Sequence, residues 1–300
     1  RVNGHDHAWT ALLCTYRGEL EQKRGNLDAA AAQFAESIEI RRRALGEHHN
    51  LVAESMLFLA TVWAEQGRLE EAREALTACV LCGRRCRVDR TRGTRGAACR
   101  TGELPIVNSY GPHNGEEDPL RGSRGSGTIF FSWCNLRCVF CQNWDISQKG
   151  LGHEVGPEEL ADMMLSLQSQ GCHNINFVSP SHVVAQVIDA VAIAAQRGLA
   201  LPLVYNTGGY DSLEALRLLD GIIDIYMPDM KYADADVGLR YSKVRNYPLA
   251  NQAAVKEIHP HDEAHSERIR PASRPHLSVD GGVGLQPTRL FVGSCDGPVA

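Results

Sequence analysis

The sequence predicts a mixed α/β protein in which a helical segment precedes a run of alternating strands and helices. Apolar residues in the first part recur with helical spacing, and one such face comprises Val52, Met56, Leu59 and Trp63. Further on, short apolar strands alternate with amphipathic helices, which is typical of parallel βα units. The pattern does not decide between an open sheet and a closed barrel.

Length and charge exclude several classes of protein. A chain of 300 residues suggests about two domains, and it is long enough to bury a core without disulfide staples. A net charge of −5 argues against nucleic-acid or anionic-membrane binding by the surface as a whole. No apolar run reaches the roughly 18 residues that a membrane span needs, and residues 1–7 have no secretory core. We therefore expect a cytoplasmic protein, in which clustered thiols bind metal more often than they form disulfides.

Four segments follow from composition and periodicity. They are helical repeats at 1–78, a cysteine- and arginine-rich metal-binding segment and loop at 79–125, βα units at 126–258, and a disordered tail at 259–300. Within the second segment, residues 105–125 are predicted to be loop because Gly, Pro, Asn and Ser dominate. The tail is assigned as disordered because Gly, Pro, Ser and Arg dominate without a sustained period.

The helical segment contains an internal repeat. The sequence GNLD at 25–28 overlays GRLE at 67–70, an offset of 42 residues that also pairs Phe34 with Leu76. Helix, glycine turn and second helix at a fixed period are typical of a helical-hairpin solenoid. Together with residues 44–49, this segment resembles tetratricopeptide repeats. A generic set of four helices is the alternative.

The βα segment has four predicted strands. These are 128–131, 174–178, 201–205 and 222–227, with regular pairing of the third expected only after Pro202. Pro157 opens the first intervening helix, and apolar faces at 183–191 and 213–219 mark the next two. A weaker helix follows the last strand.

The strongest chemical signal is the C-x3-C-x2-C loop of Cys134, Cys138 and Cys141, directly after the first predicted strand. Thiolates are soft ligands suited to zinc or iron–sulfur clusters. Three thiolates on one loop can hold three corners of a cubane and leave the fourth iron open, much as a catalytic zinc site keeps one open position. Zinc would need a fourth ligand, and neither Cys172 nor His153 stands at a familiar spacing. Zinc binding and unligated cysteines remain the alternatives.

Around these cysteines the sequence resembles the radical S-adenosylmethionine (SAM) superfamily, and within it proteins similar to the pyruvate formate-lyase-activating enzyme. The resemblance covers about residues 79–258, and the matching stretches are 125–132, 134–147, 171–176, 203–210 and 224–231. It implies a partial TIM-type barrel with a 4Fe–4S cluster on the three cysteines and SAM chelating the fourth iron. It also implies that one electron cleaves SAM to methionine and a 5′-deoxyadenosyl radical, which abstracts a hydrogen atom.

The resemblance further implies partners. In activating enzymes the hydrogen atom comes from a glycine of a partner, so we expect a glycyl-radical-type enzyme or a ligand of the repeats. A reductant such as flavodoxin or ferredoxin would supply the electron. Family barrels continue beyond the βα units recognisable before residue 258, so we expect a truncated barrel. Trp133 stands where relatives carry a small residue, and we expect it to crowd the cluster loop.

Candidate SAM-binding residues follow the predicted strands, because chemistry in βα barrels lies at the C-terminal strand ends. The candidates are Ser179, His182, Asn206, Thr207, Gly208, Asp229 and Lys231. Glycine at Gly208 would let the backbone approach a ligand closely. A structural His182 and a surface ion pair between Asp229 and Lys231 are the alternative interpretations.

A second cysteine set has the spacing C-x2-C-x3-C-x12-C, and its members are Cys79, Cys82, Cys86 and Cys99. Four thiols at these spacings can close a tetrahedral zinc site or hold a second iron–sulfur cluster, whereas reduced loop thiols are the alternative. Between Arg84 and Arg100 there are seven arginines and one aspartate, whose positive charge can offset thiolates. No aromatic residue is interleaved, so we expect no nucleic-acid binding there.

The sequence thus favours a radical SAM iron–sulfur enzyme of activating-enzyme type with an unidentified substrate. Two alternatives come from other classes. One is a catalytically dead, truncated barrel that acts as a protein-interaction scaffold. The other is a zinc-binding structural protein.

Overall fold

The computed structural model describes residues 8–46 and 49–269. Its helices are α1 (Ala8–Lys23), α2 (Leu27–Leu45), α3 (Asn50–Glu65), α4 (Arg68–Thr77), α5 (Asp118–Arg121), α6 (Trp144–Ser147), α7 (Pro157–Ser169), α8 (Val184–Gln196), α9 (Leu213–Leu218), α10 (Ala235–Ser242) and α11 (Tyr247–Ile269). Its strands are β1 (Ile106–His113), β2 (Ser126–Phe131), β3 (His153–Glu154), β4 (Ile175–Val178), β5 (Leu203–Thr207) and β6 (Ile225–Pro228). Within this described part, no helix combines the length and apolarity that crossing a bilayer requires.

The first four helices form two hairpins, α1 with α2 and α3 with α4, as the repeat predicts. Gly25 and Gly67 occupy the corresponding turns with φ angles of 78° and 70°, a left-handed conformation that glycine adopts without strain. Phe34 and Leu76, which are related by the repeat, are both buried. The helical prediction for residues 8–78 is therefore confirmed.

A six-stranded sheet of order β3-β1-β2-β4-β5-β6 forms the centre of the second half. The strands β2, β4, β5 and β6 pair in parallel, each with the next, whereas β1 is antiparallel to both β2 and β3. The sheet is open across the described residues. All four predicted strands and the helices between them are present, and their C-terminal ends meet at one edge.

The structure corrects the assignment of residues 105–125 as loop. Strand β1 lies within that range and pairs with β2 from Val107 to His113, with a register shift between Val107 and Ser109. The sequence hides this strand because Asn108 and Pro112 interrupt any apolar alternation. Pairing with β2 overrides the weak local preference.

The structure also corrects the predicted start of the tail. Helix α11 continues to Ile269, so residues 259–269 are helical instead of disordered. The apolar period stops at Ile258, but a helix that has already formed extends at little cost through polar residues. The rest of the predicted tail, 270–300, lies outside the described residues, as do 1–7 and 47–48.

Helix α8 joins the two halves of the chain. Ten of its thirteen residues are buried, because α7 packs on one side and α3 and α4 pack on another. Phe34, Trp63 and Val187 accordingly belong to one continuous apolar core. Arg42 of α2 reinforces this junction through a bond to the Asp224 carboxylate at 2.7 Å and another to the Ala200 carbonyl.

Candidate functional site

The cysteine loop after β2 opens on a cavity of about 100 Å³, here termed the triad cavity. Cys134, Cys138 and Cys141 all line it. Six of the seven predicted SAM-binding residues also line it, and these are Ser179, Asn206, Thr207, Gly208, Asp229 and Lys231. Three successive parallel strands therefore deliver polar residues to the side of the cavity that faces the thiols.

Helix α10 holds the cysteine loop in place. The Arg137 N–H donates to the Ser242 carbonyl at 3.1 Å, and the Val139 N–H donates to the Tyr241 carbonyl at 2.9 Å. These bonds fix the backbone on both sides of Cys138. The loop is thus positioned by an element about a hundred residues further along the chain.

Each sulfur of the triad has a neighbouring group that can donate a hydrogen bond to it. These groups are the Leu136 N–H at 3.4 Å from Cys134, the Ser242 hydroxyl at 2.8 Å from Cys138 and the Ser147 hydroxyl at 3.1 Å from Cys141. The Cys134 thiol also donates to the Asn135 side-chain oxygen at 3.6 Å. Burial raises the pKa of Cys134 to about 12 and also raises the pKa of Cys138. Without a bound cation the thiols of Cys134 and Cys138 therefore stay protonated, and binding of iron would release their protons.

Trp133 is strained but does not crowd the triad cavity. Its φ angle of 65° is unusual for a bulky residue and turns the chain from β2 into the cysteine loop. The indole ring packs against Gly150 and stacks with the Arg100 guanidinium 4.9 Å from the ring centroid. Trp133 is absent from the residues that line the cavity, so its ring does not occupy the space beside the triad.

Asp229 and Lys231 form an ion pair in the cavity wall. Their side chains are 33% and 15% exposed, so the pair is half-buried and not a surface pair. Burial alone would lower the pKa of Lys231, but the attraction of the Asp229 carboxylate outweighs it and the pKa is raised. The lysine therefore keeps its positive charge beside the cavity at any physiological pH.

Thr207 lines the triad cavity, but its hydroxyl is already used. It donates to the Asp211 carboxylate at 2.6 Å, accepts from the Gly209 N–H at 3.2 Å and lies 2.8 Å from the Ser181 hydroxyl. These partners satisfy both its donor and its acceptors. The structure therefore gives the hydroxyl of Thr207 a positioning role for the turn that follows β5.

Sequence reasoning missed two residues of α11 that fasten this turn. The Tyr247 hydroxyl lies 2.9 Å from the Gly208 carbonyl and 3.0 Å from the Asp229 carbonyl. The Asn251 amide donates to the carbonyls of Gly209 and Asp229 at 2.9 and 2.8 Å. Their spacing of four residues puts both side chains on one helix face, and this spacing is the signal that the sequence contains.

The donor set of the triad cavity fits a 4Fe–4S cluster with SAM. Three thiols from one loop supply three iron ligands, and N–H or hydroxyl groups lie beside each sulfur as they do around such clusters. A Cβ atom at Gly208 would lie 3.1 Å from Leu136, so glycine keeps this wall open. Among the described residues, no three His, Cys, Asp or Glu side chains are arranged to hold one metal ion, so zinc is not supported.

The second cysteine set lines a separate cavity, here termed the four-cysteine cavity. Its lining includes Cys79, Cys82, Cys86, Cys99, Arg90 and His182. The structure thus places His182 away from the triad cavity, unlike the other predicted SAM-binding residues. Ser179, at a φ of 57°, starts a 3₁₀ turn that brings the imidazole to the Ser132 carbonyl at 2.9 Å. Burial, with a smaller effect of nearby Arg90, lowers the pKa of His182 to about 4.

Comparison with known proteins agrees with this geometry. Residues 128–259 match the family model of the radical SAM superfamily, and residues 9–80 match that of the tetratricopeptide repeat. An uncharacterized protein of Methanocaldococcus jannaschii is 33% identical over 189 residues, which is 60% of this chain and 53% of the relative. The chain therefore spans about half the length of that relative. It contains a radical SAM domain and a tetratricopeptide repeat.

The radical SAM superfamily, whose model residues 128–259 match, implies a 4Fe–4S cluster and SAM. Most of the residues predicted to bind them line the triad cavity. Neither the catalytically dead scaffold nor the zinc-binding structural protein is favoured by these findings.

Proposed function

We propose that this protein is an oxidoreductase of the pyruvate formate-lyase-activating type, which cleaves SAM reductively and abstracts a hydrogen atom from a substrate. The arrangement of the triad cavity carries the proposal, because three thiols face polar residues from three strand ends. The bound cluster and SAM supply the electron transfer and the 5′-deoxyadenosyl radical. The protein binds and orients them and limits the access of water.

Each group in the cavity has a role in this proposal. Cys134, Cys138 and Cys141 are the iron ligands. Asp229 and Lys231 present an acceptor and a donor side by side to the polar groups of SAM. The side chains of Ser179 and Asn206 add polar groups to the same wall, and Gly208 admits the ligand close to the backbone.

Surface features support the proposed partners. Three exposed apolar residues lie on one face of α1, and these are Leu13, Tyr16 and Leu20. Such a face suits an amphipathic helix of a protein partner, for instance a glycyl-radical-type enzyme. Exposed arginines between 85 and 100 suit an acidic electron donor such as flavodoxin or ferredoxin. A reducing cytoplasm agrees with the free thiols of all described cysteines.

The test is anaerobic reconstitution with iron and sulfide, followed by dithionite reduction and chromatography of 5′-deoxyadenosine. We expect SAM-dependent 5′-deoxyadenosine from the wild type and from Cys172→Ala, which changes a buried cysteine outside both cavities, and none from Cys138→Ala. Equal yields from Cys138→Ala and the wild type would contradict the proposal. Electron spin resonance of candidate partners then tests the activating type, since a glycyl radical must appear only with the active protein.

A further inference from the structure

The four-cysteine cavity is a second cluster of metal-ligating side chains, outside the radical SAM match at 128–259. Cys79, Cys82 and Cys99 are buried and Cys86 is half-buried. The backbone brings them together because the Cys79 N–H donates to the Val88 carbonyl at 2.9 Å and the Cys79 carbonyl accepts from the Arg87 N–H at 2.8 Å. Four thiols from 21 residues of chain thus surround one space.

A buried cation in the wall of this cavity lacks an anionic partner. Arg90 is 1% exposed, and its guanidinium donates to the carbonyls of Thr101, Gly102 and His182 and to the Cys79 sulfur at 3.7 Å. Among the described residues no carboxylate forms a salt bridge with it. Burying an arginine without an anion is costly. Thiolates bound to a metal centre in the cavity would supply the missing negative charge.

A buried imidazole nitrogen of His182, which lines the same cavity, also lacks a hydrogen-bond partner. His182 is 1% exposed, and its Nε2 donates to the Ser132 carbonyl, so in the neutral ring Nδ1 carries the lone pair. In the described structure Nδ1 has no hydrogen-bond partner. An unsatisfied buried acceptor is rare and commonly marks a group that occupies the site in the complete protein.

Backbone strain concentrates beside these cysteines. Arg85 and Arg87 flank Cys86 with φ angles of 45° and 53°, and Arg100 follows Cys99 with a φ of 51°. Left-handed conformations in residues other than glycine are unfavourable and persist where the surrounding structure demands them. Here they lie directly next to two of the four cysteines, Cys86 and Cys99.

We propose that Cys79, Cys82, Cys86 and Cys99 hold a second iron–sulfur cluster, whose negative charge Arg90 balances. A single zinc ion requires thiolates about 2.3 Å from one centre, and no three such ligands are arranged around one ion in the described residues. A cubane spreads its ligands over a wider core than a single ion does. The second cluster lies beside the first, because Arg84 donates to the Asn135 carbonyl at 2.8 Å and so joins the two cysteine segments.

The deciding experiment uses the full chain with Cys134, Cys138 and Cys141 all changed to alanine. After anaerobic reconstitution, we expect roughly four iron atoms and four sulfides per chain in this variant, against roughly eight of each in the wild type. Mössbauer spectra should show the remaining iron as a cluster. A triad variant that holds no sulfide, or a single zinc ion, overturns the proposal even if the wild type cleaves SAM.

A complementary variant protects the test against misfolding. Changing Cys79 and Cys86 to alanine should lower the iron content from roughly eight atoms to roughly four, while Cys172→Ala keeps the wild-type content. Circular dichroism establishes whether each variant is folded. If the Cys79/Cys86 variant unfolds, the triad variant still decides, because its four-cysteine cavity is unchanged. A folded Cys79/Cys86 variant with wild-type iron and sulfide contradicts the proposal.

Discussion

The hydroxyl of Tyr247 donates a hydrogen bond to the carbonyl oxygen of Gly208 at 2.9 Å and so ties α11 to the turn after β5. The same hydroxyl accepts the Lys231 N–H at 3.0 Å. The Tyr247 side chain therefore fixes the position of Gly208 relative to Lys231, and both of these residues line the triad cavity. Its contribution is to the shape of the cavity, since Tyr247 itself is not among the lining residues.

Removing this hydroxyl should weaken SAM binding without loss of the cluster. In Tyr247→Phe the turn loses a bond worth about 1 kcal/mol, so we expect the KM for SAM to rise about fivefold to tenfold and kcat to change less. Iron content should stay at the wild-type value. The matched control is Tyr110→Phe, which changes an exposed tyrosine on β1. A KM equal to that of this control would show that Tyr247 does not position the turn.

Gly209 should tolerate no side chain because a Cβ atom would collide with its neighbours. This steric effect can be measured separately from the strain of a positive φ angle. Its φ is 68°, and a Cβ atom there would collide with the Asp229 carbonyl and the Asn251 amide. Gly221 has a similar φ of 72° but open space around it. We expect Gly221→Ala to cost about 1 kcal/mol of unfolding free energy and Gly209→Ala clearly more, with loss of SAM binding. Urea unfolding of both variants measures the loss of unfolding free energy. Equal losses in the two variants would show that the collision at Gly209 does not occur.

The hydroxyl of Ser242 should tune the triad. It lies 2.8 Å from the Cys138 sulfur and 2.6 Å from the Tyr232 hydroxyl. Hydrogen bonds to ligand sulfurs stabilise the reduced, more negative state of a cluster. Ser242→Ala should therefore make the reduction potential more negative, while the exposed Ser169→Ala leaves it unchanged. Redox titration followed by electron spin resonance checks this, and an unchanged potential in Ser242→Ala would count against the contact.

Arg42 should contribute strongly to stability although it lines neither cavity. Its side chain is 8% exposed and pairs with Asp224, which is 29% exposed and also accepts the Leu203 N–H. Breaking a largely buried pair by removing one partner costs about 3 kcal/mol. We expect a loss of that order in the unfolding free energy of Arg42→Met. Arg17→Met, at an exposed position of α1, should change it by less than about 0.5 kcal/mol.

The local sequence pattern was sufficient to predict most of the parallel strands and the helices between them. Pro157 opens α7 as expected, and regular pairing of β5 begins at Leu203, directly after Pro202. These features depend on residues close together in sequence. Strand β1 was missed because its partner β2, and not its own composition, makes it a strand.

The candidate site divides in the same way. The triad and the strand-end residues were predictable because C-terminal ends of parallel strands converge. The position of His182 was not, since it depends on a left-handed Ser179 that directs the ring towards Ser132. The contacts of Tyr247 and Asn251 join elements about 40 residues apart. Their four-residue spacing indicates a shared helix face but not the turn that this face contacts.

The core shared by the repeats and the sheet has a consequence for folding. Because α8 is buried between α7 and the helices α3 and α4, neither half can unfold without exposing the apolar side chains of this helix to water. The described chain should therefore melt in a single cooperative transition, although its two halves match different families. In scanning calorimetry we expect one peak whose calorimetric and van't Hoff enthalpies agree. The boundary near residue 79 is then a boundary of sequence pattern and not of stability.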